Sequence, residues 1–224
     1  MHDATPSTDA LIDQLAERAA PVRRLSSPLR RTALWLLVAT VIIAGIMFSH
    51  GVRSGWLDAM FAPSAAIEWI ASVLTGVLAA YAVFQISVPG RSAAWAWLPV
   101  PAAALWFAGL GAGCLADLAR VGSAAFAFDA EASECAWAIT LTSVPLGLVL
   151  LLMVRHAGVV RPGATALLTA LSAAALSAAG ASLFHGGESA LMVLLWHVGA
   201  VAVLSTLSWA FGRQLFAWIG YARR

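Results

Sequence analysis

Only two thiols stand in the 224-residue chain, Cys114 and Cys135, at either end of the stretch GCLADLARVGSAAFAFDAEASEC. Between them lie Asp117, Asp129, Glu131 and Glu134, the densest acidic segment of the sequence. Two cysteines in that setting support two kinds of chemistry. They can close a disulfide where their Cα atoms come within roughly 4.4–6.8 Å, or act as thiolate ligands for a soft metal such as copper(I) or zinc. Cysteine also serves as a small apolar filler; two alone, bracketing one acidic segment, weigh against that use. His50, His185 and Met60 could add ligands to the same site, although no CxxC or HxxxH spacing binds them into a cluster, and both histidines also read as ordinary interfacial residues. His197, in LLWHVGAV, and Glu68 are ionisable groups inside apolar runs, where such a group is costly and turns toward a polar partner or a function.

The elements that must position these residues follow from composition. The chain is 61% hydrophobic and 11% charged, with a mean hydropathy of +0.86. A soluble domain of this length needs more polar surface than that. Six apolar runs reach the length required to cross a hydrocarbon core of about 30 Å at about 1.5 Å per helical residue: 33–49, 66–87, 93–112, 136–154, 163–184 and 190–211. Their apolarity is continuous rather than alternating, which predicts helices and not an outer-membrane barrel. The expected fold is all-α, a polytopic six-transmembrane-helix bundle over 33–212, preceded by a short N-terminal segment (1–32) and followed by a short basic tail (213–224). Small-residue stretches, Gly109–Gly113 and Ala170–Ser182, predict close helix packing.

The basic residues orient it. All 13 are arginines. With the N-terminus inside, Arg18, Arg23, Arg24, Arg30, Arg31, Arg91, Arg155, Arg161, Arg213, Arg223 and Arg224 are cytoplasmic, and only Arg53 and Arg120 lie across the bilayer. Both termini are then cytoplasmic. The pI near 8.9 records this topology rather than a nucleic-acid surface. The stretch 113–135 becomes an outward loop with a cysteine at each membrane boundary. In a bacterial inner membrane that face is the periplasm, where a disulfide persists.

The N-terminal segment TPSTDALIDQLAERAAPVRRL predicts a short amphipathic helix. Ser7 or Thr8 can cap it, Asp9 and Asp13 favour its positive end, and Pro21 stops it. Leu11, Ile12, Leu15 and Ala19 share one face, away from Asp13 and Glu17. Three turns are marginal alone in water, so that face requires a partner: the membrane surface, the underside of the bundle, or a cytoplasmic protein that takes the helix in a groove.

No Walker loop, HExxH or GxSxG occurs, and no second cysteine pair offers electrons an exit, so no catalytic residue is expected. A small metal or small-molecule permease is the competing class. It predicts a polar interior, for which His197, Thr75, Gln85, Thr140 and Thr142 are a thin supply.

The segments TDALIDQLAERAAPVRRL, SVPGR, GCLADL, the later EC, and LFHGGESALMVLLWHVGAV together resemble the NrsF-type membrane anti-sigma factors, the negative regulators of sigma F, over nearly the whole chain. The resemblance implies an inner-membrane protein whose N-terminal segment holds an extracytoplasmic-function (ECF) sigma factor inactive until a stress signal arrives from outside. It places sigma binding on Asp9, Leu11, Ile12, Asp13 and Leu15, with Ala19 continuing the face, and sensing on Cys114 and Cys135. The family's association with metal and oxidant stress fits a sensed copper or zinc ion and no other cofactor; by the residues' own chemistry, such an ion would be ligated by Cys114, Cys135, His185 and His50. It does not choose between that metal and a disulfide.

Overall fold

Serine and proline set where the helices begin. A computed structural model describes residues 7–18, 25–51, 55, 63–122, 130–155, 157, 159–183 and 199–218, with backbone alone at 47, 50, 130–139 and 200. Ser7 opens α1 (Thr8–Glu17), its Oγ accepting the Ala10 N–H at 3.3 Å. Ser27 does the same for the Arg30 N–H at 3.3 Å ahead of α2 (Pro28–His50), where proline at the first helical position lacks only an N–H that would be orphaned anyway. Prolines also start α3 (Pro63–Ile86) and α6 (Pro162–Ala181). A 3₁₀ turn, Ala93–Trp97, leads into α4 (Val100–Val121), and α5 (Ala130–Val154), α7 (Gly199–Ala210) and α8 (Gly212–Trp218) complete the described helices.

Among the described residues the fold is all-α, without strands. Four stretches are long and apolar enough to cross a membrane: Pro28–Ile46, Pro63–Ile86, Ala93–Val121 and Pro162–Ala181. The other two expected spans appear as the shorter apolar helices Thr140–Val154, within α5, and Val201–Ala210, in α7. Residues 190–198, the start of the sixth expected span, lie outside the described residues.

Helix α6 is the hub. Its apolar stretch is largely buried, whereas little of that in α2 is, and it packs on α3, α5, α7 and α8. The outer helices turn Leu34, Leu37, Val41, Leu105, Leu141 and Val144 outward, an apolar surface that suits acyl chains. Polar groups are held inside instead. Ser72 on α3 donates to the Ala175 carbonyl on α6 at 2.8 Å, and Ser172 on α6 donates back to the Gly76 carbonyl on α3. Trp69 Nε1–H adds a third bond, to Ala179 O at 3.0 Å. These bonds require the two backbones to approach closely, which the small faces of α3 and α6 allow.

Two sequence expectations change. The stretch 113–135 is helical at both ends, since α4 continues to Val121 and α5 begins at Ala130. Asp117 and Arg120, which read as loop charges, instead pair with each other at 2.9 Å one turn apart on α4. Gly122, with φ +60°, then ends the helix as a residue without Cβ can. The expected tail is helical over α8, where Phe216 is buried in the same core cluster as Trp35, Phe84 and Leu150.

A Cβ at Gly76 would lie 2.6 Å from Leu176 Cγ and 3.2 Å from the Ser172 carbonyl, whereas one at Gly111 meets nothing within 4 Å. Gly76→Leu should therefore cost about 1–3 kcal/mol in denaturant unfolding of the detergent-solubilised protein, and Gly111→Leu should leave the midpoint unchanged.

Candidate functional site

Helix α1 is closed by its own backbone, the Arg18 N–H bonding to Gln14 O at 3.3 Å, and none of its residues is buried. Leu11, Ile12 and Leu15 are 45%, 57% and 63% exposed, and Asp9 and Asp13 are exposed beside them. Ala19 lies outside the described residues.

The chain enters the bundle at the start of α2, and there the structure holds a residue that sequence reasoning had counted only as a topology marker. Arg31 is 7% exposed. Its Nη2 donates to Met153 O at 2.7 Å, in the last turn of α5, and its guanidinium carbon lies 4.5 Å from the centroid of the Phe84 ring on α3. A carbonyl in the last helical turn lacks an intrahelical donor and sits at the negative end of the helix dipole, so a cation is favoured there. The ring face adds a cation–π contact. One turn further on, Trp35 Nε1–H donates to Leu146 O of α5 at 3.4 Å. Two side chains of α2 thus grip the backbone of α5. The signal was present as a helical stripe, Arg31, Thr32, Trp35 and Ala39, all buried, but an arginine at a span's edge is ordinarily solvated and was read so.

Other arginines gather at the same end. Arg161 Nη1–H donates to the Arg91 carbonyl at 3.2 Å, Arg155 follows α5 directly after the turn that holds Arg31, and Gly212, beside Arg213, abuts Pro162 and Gly163. Arg120 lies at the far end of the bundle, on α4.

Cys114 is half-buried on α4. Cys135 belongs to the backbone of α5, and its side chain lies outside the described residues. Helix α4 packs along α3, and α5 packs along α6 and α2. Glu68, half-buried on α3, fits against α4 at Gly109, where a Cβ would come within 2.7 Å of its Cγ. The His50 side chain, His185 and His197 lie outside the described residues. Among the described residues no group of three or more His, Cys, Asp or Glu side chains could hold a metal ion. Thr75 and Gln85, candidate lining for a permeation path, bond within their own helix, to Ala71 O at 2.7 Å and to the Tyr81 hydroxyl at 2.8 Å.

Replacing the Arg31 guanidinium removes a charged hydrogen bond and a ring contact together. Arg31→Met should lower unfolding stability in detergent by about 1.5–3 kcal/mol, and Arg31→Lys should recover only part, because an ammonium lacks the planar fork. The exposed neighbour Arg30→Met should leave the midpoint unmoved.

A model of the family NrsF, negative regulator of sigma F, matches residues 15–218 of the chain. No curated protein and no solved structure matches it.

Proposed function

The chain belongs to the NrsF family of negative regulators of sigma F, and on that premise we propose that it is an inner-membrane anti-sigma factor of six spans. It sequesters an ECF sigma factor through α1 and releases it on a periplasmic metal or oxidant signal received at Cys114 and Cys135. The observation that carries the reading is α1, a capped helix whose Leu11, Ile12 and Leu15 are exposed and lack a partner among the described residues.

On a helix of 3.6 residues per turn these three side chains, with Ala19 to follow, form one apolar face. Laid in a groove of the sigma factor, that face is buried, and Asp9 and Asp13 meet basic residues at its edge. Cytoplasmic termini are supported by the bias of eleven arginines against two and by the gathering of Arg31, Arg91, Arg155, Arg161 and Arg213 at one end.

Helix α5 supports a route for the signal. It is one helix of 25 residues, about 37 Å long, with Cys135 in its second turn and Met153 in its last. The Met153 carbonyl holds Arg31, and the sigma-binding segment precedes Arg31 in the chain. A displacement of α5 at its cysteine end reaches the root of that segment through this contact. Oxidation or metal capture must favour one position of α5 over the other, and a tenfold release requires about 1.4 kcal/mol of preference. One disulfide or one soft-metal ligand pair supplies more. His185 and His50 are the further ligands in the metal form, and Glu68 and His197 are intramembrane polar groups that a rearranging bundle can re-pair.

Leu15→Asp should place an unpaired charge in the sigma contact and reduce co-purification of the sigma factor at least about tenfold, with membrane insertion unchanged; undiminished capture would refute sequestration by α1. The double variant C114S/C135S should retain the sigma factor and lose its release by copper and by a thiol oxidant. Persisting release would move the sensor off the cysteines.

A further inference from the structure

Two recesses are lined by neighbouring residues of α6, α7 and α8. The first, about 370 Å³, lies where the start of α6 meets the α7–α8 corner, and Arg161, Trp209 and Arg213 line it. Its floor is a close glycine contact: a Cβ on Gly212 would come 2.8 Å from Pro162 O and 2.9 Å from Gly163 Cα, and one on Gly163 would come 3.2 Å from Trp209 Cδ1. That contact brings together two arginines 52 positions apart. Arg161 is steadied by its bond to the Arg91 carbonyl, and no carboxylate pairs with Arg161 or Arg213 among the described residues. The second recess, about 340 Å³, is lined by the same three helices together with α5, with Leu148, Leu151, Leu204, Leu215 and Trp218 in its wall. Its polar lining is confined to Ser143, Thr169 and Ser208, and on α5 it extends over residues 143–151, about 12 Å.

We infer that the two recesses together bind one anionic phospholipid of the surrounding bilayer, its phosphate on Arg161 and Arg213 and an acyl chain along the apolar groove. Charge complementarity selects the headgroup. Two guanidiniums without a carboxylate partner among the described residues sit at the basic end of the bundle, where headgroups of the cytoplasmic leaflet lie, and the exposed indole of Trp209 lines the same recess. The adjoining groove selects a lipid over a free phosphate, because α5 turns Leu141 and Val144 outward beside it, toward acyl chains. The inference rests on the chain being a membrane protein and is independent of sigma binding. A lipid seated there touches α5, α6, α7 and α8 at once, so leaflet composition biases the position of α5.

The full chain, delipidated in mild detergent, is mixed with dioctanoyl phosphatidylglycerol, dioctanoyl phosphatidylcholine or inorganic phosphate and examined by native mass spectrometry. Phosphatidylglycerol should be retained about tenfold or more over phosphatidylcholine. R161Q/R213Q should abolish the preference, and A170F, which fills the groove and leaves both arginines, should abolish lipid retention; size-exclusion profiles verify that each variant is folded. Equal retention of the two lipids, a preference surviving in R161Q/R213Q, or displacement of the lipid by equimolar phosphate overturns the proposal. So does displacement by a peptide of residues 5–25, which would make the chain's own N-terminal segment the occupant. Sigma capture by the same variants is read separately.

Discussion

The seam between α3 and α6 is the constraint on which the bundle depends. Inside a membrane the lipid tails are as apolar as leucine, so helices gain little by burying apolar surface against each other; association rests on close packing and interhelical hydrogen bonds. Here α3 and α6 exchange serine bonds, Ser72 to Ala175 and Ser172 to Gly76. Each bond is modest, about 0.6 kcal/mol on average in such settings. They matter because they demand backbone proximity, and Gly76, where a Cβ would meet Leu176 and the Ser172 carbonyl, meets that demand. Once the pair is fixed, α4 follows α3, and α5, α7 and α8 follow α6.

Helix α2 is attached differently. It contacts the pair through fewer residues, and its clearest bonds run to the backbone of α5 from Arg31 and Trp35. Such a helix is well suited to moving relative to the core, because its attachment is a few directional bonds rather than a long small-residue seam. Helix α1, the segment proposed to bind the sigma factor, precedes this helix in the chain and not the rigid pair. Coupling between sensor and segment then requires no contact between α4 and α5. It requires that α5 hold two positions, which the proposed cysteine chemistry and the proposed phospholipid would each bias in the same free-energy terms.

Much of this was legible in the residues. The membrane class, the helical fold and the four longest apolar helices followed from continuous apolarity, because a run such as 66–87 has no polar side to offer water. The helix at Thr8–Glu17 was legible from Ser7, Asp9 and the spacing of Leu11, Ile12 and Leu15, and the close packing of α6 from its alanines and serines. The continuation of α4 past Cys114 was not, since Asp117 and Arg120 look like loop charges until the helix sets them one turn apart. Nor was the α8 helix, whose Arg213 and Gln214 masked the anchoring role of Phe216.

The sequence by itself determined the long apolar helices, the uneven distribution of arginines along the chain and the short helix ahead of them, since these are properties of composition and of order along the chain. Only the tertiary structure decided who neighbours whom. It set α4 against α3 and α5 against α6, and it distinguished the buried Arg31 from the exposed Arg30 beside it. The physical reason is that apolar helices are nearly interchangeable to the lipid around them. Their partners are selected by a handful of small residues and donor–acceptor pairs far apart in sequence, such as Arg31 with Met153 and Ser72 with Ala175, which no local pattern announces.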